Sequence, residues 1–325
     1  MKKIGIVTYH KAWNNGAFLQ ALAMQMFLET HGFEAYIVNT GIRYKSVVMA
    51  DTAANEWWRE YEKVLADCHR LLHESSEKKY DAIIYGSDEI WNLRSYGANP
   101  IFWGYRLNSP RKIAYAPCSG ELGMKICFKS PCKALMAAWA LNNNYQAISA
   151  RDDRTKKFIK IFSSREVTEC LDPTFLADFT PYKSGNTRGN YIVVYSYGLN
   201  AETIKGIREF AAAHDCKIVY TGSYSDWADE NPVLDPMEWL NVMFHARYVF
   251  TSTFHGCVFS VICRRSFFVV ETNSSKVNDL LMRLQLTDRK VRDFNSLPPE
   301  VDYTVVQQHL GKQRQVSEDY ILSNI

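Results

Sequence analysis

No window of about eighteen apolar residues occurs in this 325-residue chain, so no membrane-spanning helix is expected. The eight cysteines form no C-x-x-C pair and no zinc-like spacing, which argues against a dithiol redox motif or a structural zinc site. Several lie among apolar neighbours and read as reduced core residues of a cytosolic protein. Lysine and arginine form no basic tract, and a formal net charge of +3 is too small to argue for nucleic acid. A local cationic pocket is compatible with that balance. Neither G-x-G-x-x-G nor a P-loop lysine motif is present, so a dinucleotide or a P-loop nucleotide is not supported. Two lysines precede the apolar residues that begin at Ile4, but the run is too short for a signal peptide and meets His10, Lys11, Asn14 and Asn15. It reads as a first strand.

What the chain does have is apolar and aromatic bulk: 47% hydrophobic residues, with 17 Phe, 19 Tyr and 8 Trp. That is enough for an ordered core, and the length suits two domains. Residues 4–9 read as a strand, 17–30 as a helix with Phe18, Leu19, Leu22, Met26 and Phe27 at helical spacing, and 34–39 as a second strand. Residues 45–79 read as a helical surface insertion. Strands follow at 80–85, 112–116, 146–150 and 167–171. After the polar stretch 183–189, a linker, the alternation restarts with strands at 191–195, 217–221, 247–251 and 267–271 and helices between them. The expectation is an α/β protein of two Rossmann-like domains facing a cleft. Residues 1–185 form the first domain and 186–300 the second, with 301–325 a helix packing back on the first.

In such sheets, ligands gather beyond the carboxyl ends of the strands, and helix N-termini there favour anions. His255 falls in a turn at 252–256, between a strand and a buried helix, where it either meets a ligand or merely caps the helix. Asn15 and Gly16 open the first helix, where bare amides can hold a phosphate or carboxylate. Arg151 ends a strand and offers a fork of donors to an anion, or pairs with Asp152 or Asp153 at the surface. Asp88, Trp91 and Asn92 follow another strand. There they suit a sugar, or else Trp91 closes a core and Asp88 caps a turn.

Taken in order, Asn14-Asn15-Gly16-Ala17-Phe18-Leu19-Gln20-Ala21, Gly86-Ser87-Asp88-Glu89-Ile90-Trp91-Asn92, Ile148-Ser149-Ala150-Arg151-Asp152, Leu171-Asp172-Pro173-Thr174 and Ser252-Thr253-Phe254-His255-Gly256 resemble the signatures of the polysaccharide pyruvyl transferase family. The resemblance implies a fold similar to two-domain GT-B glycosyltransferases. It also implies transfer of pyruvyl from phosphoenolpyruvate to a saccharide hydroxyl pair as a ketal, in bacterial surface polysaccharide biosynthesis. His255 falls on the family's catalytic histidine and Arg151 on an arginine that holds the donor. Many members carry arginine two residues before that histidine, where this chain has Thr253. Lys276, Arg264, Arg265 and Arg283 are candidates to replace its charge, and Lys276 is favoured.

On this reading Asn15, Gly16, Gly256 and Lys276 hold the donor, and Asp88, Trp91 and Asn92 face the acceptor. Phosphoenolpyruvate is the donor substrate, with no further cofactor and no metal. The acceptor is a saccharide, free or lipid-linked. The site is cytoplasmic, with room for peripheral contact at the inner face of the membrane. Two alternatives share the fold: a glycosyltransferase using a nucleotide sugar, and a saccharide-binding relative that has lost the chemistry.

Overall fold

A computed structural model describes residues 1–42, 44, 51–123, 125–185 and 188–325. Residues 45–50 of the 45–79 segment, and residues 186 and 187 of the linker, lie outside the described residues.

The first domain runs β1 (Lys3–Val7), α1 (Asn15–Thr30), β2 (Glu34–Val38), α2 (Thr52–Cys68), β3 (Glu74–Ser75) and β4 (Ala82–Tyr85). It continues with β5 (Arg111–Ala114), α3 (Lys125–Lys129), α4 (Pro131–Asn143), β6 (Ala147–Ala150), α5 (Asp153–Phe162) and β7 (Thr168–Glu169). Among the described residues these strands make one parallel sheet in the order β3-β2-β1-β4-β5-β6-β7. β1 and β4 are buried almost throughout, as strands covered on both faces must be.

The second domain is built from β8 (Tyr191–Tyr195), α6 (Ala201–Ala213), β9 (Lys217–Thr221), α7 (Pro236–His245), β10 (Tyr248–Thr251), α8 (Phe254–Ile262), β11 (Ser266–Val269) and α9 (Ser275–Arg283). Its strands are parallel in the order β11-β10-β8-β9. α7 starts on a full capping box, in which the Asp235 side chain accepts from the Glu238 amide and Glu238 accepts from the Asp235 amide, with Pro236 at the first helical position.

In each sheet the strand order reverses at a central pair, β1 and β4 in the first and β8 and β10 in the second, and the chain beyond these carboxyl ends forms the walls of the cleft. The final helix α10 (Tyr303–Asn324) spans both domains: its Tyr303 hydroxyl donates to the Arg265 carbonyl of the second at 2.6 Å, and its later turns lie on the first. Its Tyr320 hydroxyl donates to the Ala114 carbonyl at 2.9 Å, and its Ser317 hydroxyl accepts from the Leu171 amide at 2.9 Å. One apolar core runs through both domains, joining Phe18 and Leu22 of α1 to Trp239 of α7 and Phe259 of α8.

The surface insertion expected at 45–79 is corrected where it is described. α2 buries Trp57, Trp58 and Tyr61 in that shared core, and β3 extends the first sheet. An amphipathic helix with a charged outer face and an aromatic inner face covers a core rather than decorating it.

Candidate active site

The cleft is built on glycines that let two helix N-termini meet. A Cβ on Gly16 would lie 2.1 Å from His255 Nδ1, so the imidazole rests directly on the backbone of α1. A Cβ on Gly256 would lie 2.0 Å from Thr251 Oγ1, so the first turn of α8 sits hard against the end of β10. Thr251 Oγ1 donates to the Tyr195 carbonyl at 2.7 Å and accepts from the Thr253 amide at 3.0 Å, which fixes that exit. Ser196 and Ser252, just beyond β8 and β10, share a hydroxyl contact of 2.6 Å. The helix begins at Phe254, placing His255 inside its first turn rather than in the preceding loop.

Behind His255 is a buried charged cluster. Asp172 Oδ2 accepts from Arg151 Nη1 at 2.6 Å and from the Ser87 hydroxyl at 3.0 Å, and lies 3.7 Å from His255 Nε2. Its other oxygen accepts from the Thr174 hydroxyl at 2.8 Å. Burial opposes the Asp172 charge, yet His255 and Arg151 outweigh it and hold the carboxyl below the usual carboxylate range. Ser87 is positioned by Gln20, whose side-chain oxygen accepts the Ser87 amide at 3.3 Å and whose nitrogen donates to Thr8 and Tyr9. The guanidinium of Arg151 stacks over Phe254 at 4.3 Å.

In front of His255 is a cavity of about 220 Å³, bordered by Asn14, Asp88, Tyr197, Thr253 and Lys276. Among the described residues that line it, Lys276 is the cation. Its ammonium pairs with Glu89 across the cleft at 2.7 Å. Burial disfavours both charges, but the pairing wins: the lysine is held above its ordinary value, and the Glu89 carboxyl falls to about 2 with help from Asn92. Arg264 and Arg265 stand at the far end of α8, where Arg265 Nε binds the Cys263 carbonyl. Arg283 donates to the Arg151 carbonyl at 3.0 Å and lies 3.7 Å from Asp279. Lys276 is therefore the cation that shares a cavity with Thr253.

Several expected contacts fall elsewhere. The Gly16 amide is taken by the Asn14 side chain at 2.8 Å and the Gly256 amide by Thr253 at 2.9 Å, so neither is bare. The Asn15 side chain turns away and accepts from the Tyr61 hydroxyl at 2.7 Å. Trp91 is fully buried, stacked on Trp103 at 5.1 Å with its N–H on the Phe102 carbonyl, and has no face for a sugar. Asn92 donates to Glu89 at 2.9 Å and so supports the Lys276 pair rather than lining the cavity. Arg151, 3% exposed, faces Asp172 rather than open cleft or a surface carboxylate. His10, another histidine at a strand end, lies 3.7 Å from Glu74 and near His69, and burial lowers it to about 4.

Asp172, Ser87, Asn14 and Glu89 carry no expected role from the sequence, although each sits inside one of the family-like motifs. Asp172-Pro173-Thr174 reads in the sequence only as a strand end with a turn, and in the structure Asp172 accepts from the Thr174 amide at 3.2 Å. Its second contact set appears only when Arg151 and His255 are brought together. Among the described residues no group of three or more His, Cys, Asp or Glu side chains could hold a metal ion, and no helix is long and apolar enough to cross a membrane.

Two Rossmann-like domains about such a cleft are the arrangement of GT-B glycosyltransferases and the epimerases that share their fold. Staphylococcus aureus MnaA, in a co-structure with UDP, superposes with a TM-score of 0.52 at 12% identity, covering 100% of this chain and 98% of that one. The UDP-GlcNAc 2-epimerase of Neisseria meningitidis, bound to UDP-GlcNAc, gives 0.50 at 8% identity over 100% and 99%. That of Methanocaldococcus jannaschii, in complex with UDP-GlcNAc and UDP, gives 0.50 at 11% over 99% and 98%. At such identities the likeness is one of fold. No curated protein sequence matches the chain. The family model described as polysaccharide pyruvyl transferase matches residues 14–274, from the Asn14 cap, through the Ser87, Arg151, Asp172 and His255 cluster, to the loop before Lys276. By that match, which spans most of its length, the chain belongs to the polysaccharide pyruvyl transferase family.

Proposed function

We propose that the chain transfers pyruvyl from phosphoenolpyruvate to a pair of saccharide hydroxyls, forming a ketal and releasing phosphate. The observation that carries this reading is His255 and Lys276 on the wall of one small cavity, with the ionised Asp172 behind the imidazole. A compact dianionic or trianionic donor needs a cation and a proton carrier at close quarters, and these residues supply both.

In the proposed reaction, C3 of the donor gains a proton and C2 takes on oxocarbenium character. One acceptor hydroxyl bonds to C2 and gives up its proton, and a second does the same as the C2–O bond to phosphate breaks. Of the two hydroxyl protons lost, one balances the proton gained at C3 and the other leaves with phosphate. His255 carries protons between these atoms, and Asp172 steadies its ring. Lys276 meets the donor's phosphate or carboxylate, exchanging Glu89 for the incoming anion. Asn14, Thr253 and Asp88 present polar side chains on the same wall. Arg151 acts on this account through Asp172, as a positioning group.

His255→Ala is expected to lower phosphate release from phosphoenolpyruvate, measured against a panel of nitrophenyl and lipid-linked sugars, by about 10²–10⁴-fold. Full turnover in that variant would remove His255 from the chemistry.

A further inference from the structure

A larger cavity, about 590 Å³, lies beside the one that holds His255. One wall is α2, through Trp58; the other is the loops that leave β8 and β9, through Tyr197, Tyr224, Ser225 and Trp227. Tyr197 lines both cavities. Tyr197 is 49% exposed, yet its hydroxyl is held by Asn14 Nδ2 at 3.2 Å and lies 3.3 Å from the Tyr195 hydroxyl. Tyr197 is thus a tethered wall shared by two neighbouring cavities. Trp227 is also fixed, edge-on to Tyr220 at 5.5 Å with its carbonyl accepting from Arg208.

The chemistry of the lining narrows the occupant. A volume in the range of roughly 300–1,000 Å³ is that of a small-molecule site, and several aromatic rings with a few polar groups suit a pyranose. The carbon face of the sugar stacks on a ring while its hydroxyls find partners at the rim. Ser225 Oγ is buried without a hydrogen-bond partner among the described residues. The charged side chains on the lining are the carboxylates Asp51 and Asp226; no lysine or arginine is among the described residues there. That balance disfavours a nucleoside diphosphate and favours a neutral ring.

We propose that this cavity is the acceptor subsite, taking a neutral saccharide whose reactive hydroxyls pass Tyr197 to reach His255. The proposal rests on the pyruvyl-transfer reading of the neighbouring cavity and relocates the acceptor from the Asp88 to Asn92 loop to the α2 side.

The test is a printed array of neutral oligosaccharides of hexose and N-acetylhexosamine units, followed by calorimetric titration of the best-bound glycan. Wild type should bind it. Trp227→Ala and Tyr224→Ala should each bind at least tenfold more weakly, while Trp227→Phe, which keeps a ring, stays within about threefold of wild type. No bound glycan, equal binding by both alanine variants, or displacement of the glycan by UDP would overturn the subsite. Phosphoenolpyruvate is titrated alongside: donor binding without any glycan binding removes this proposal and leaves the transfer reading standing. Ring-dependent glycan binding without donor binding removes the transfer reading and the acceptor role with it, and leaves a saccharide site.

Discussion

Asp172 takes donors from Arg151, Ser87 and Thr174 while facing His255, so one carboxylate couples three strand ends and a helix start. Both members of its ion pair are sealed, with side chains 2% and 0% exposed. A buried pair of this kind adds little net stability, but removing one partner strands the other charge. Asp172→Asn should therefore lose about 3–5 kcal/mol in urea denaturation, because Arg151 keeps its charge. A loss below about 1 kcal/mol would show that the guanidinium finds another anion. A position that depends on one local feature was legible before the structure, as for His255 beside a glycine at a strand-to-helix junction. Trp91 was not, because an indole after a strand end reads the same whether it faces solvent or Trp103.

At the scale of elements, the β-rich runs bounded by Gly, Pro and Asn fixed the alternation, and the strands at 191–195 and 217–221 hold those bounds. α2 was harder to place. Its charged face marks it as exposed on one side, and nothing local says that Trp57 and Trp58 meet the second domain. The elements flanking the cleft are clasped by Lys276 at the start of α9 and Glu89 beyond β4, with Ser275 donating to Glu121 at 2.7 Å beside them. Burial opposes the Glu89 charge and Lys276 more than offsets it, so the folded carboxyl titrates near 2 instead of 4.5. A depressed acid stabilises the fold fully above its unfolded value and loses that contribution as pH falls through the folded one. The melting temperature of Glu89→Gln should accordingly lie below that of wild type at pH 7, and the gap should close between about pH 4.5 and 2. A gap that widens on acidification would contradict the clasp.

The whole molecule combines a continuous apolar core with a cleft whose contacts are polar. Phe18, Trp239 and Phe259 belong to one cluster, so the domains are fused at the floor. The contacts across the mouth include a hydrogen bond from Asn14 to Tyr197 and an ion pair between Glu89 and Lys276. The two-domain architecture was legible from the restart of alternation after residue 189. The union of the two cores was not, since α1 gives no local sign that it will pack on α7. The central claim is that the cavity between Lys276 and His255 selects phosphoenolpyruvate, although the fold is shared with proteins bound to UDP. The most direct test is calorimetric titration of phosphoenolpyruvate and, separately, UDP into wild type and Lys276→Ala. Phosphoenolpyruvate should bind wild type and lose at least tenfold in affinity in Lys276→Ala, about 1.4 kcal/mol or more, with no heat from UDP. Binding of UDP with none of phosphoenolpyruvate, or donor affinity indifferent to Lys276, would contradict the account.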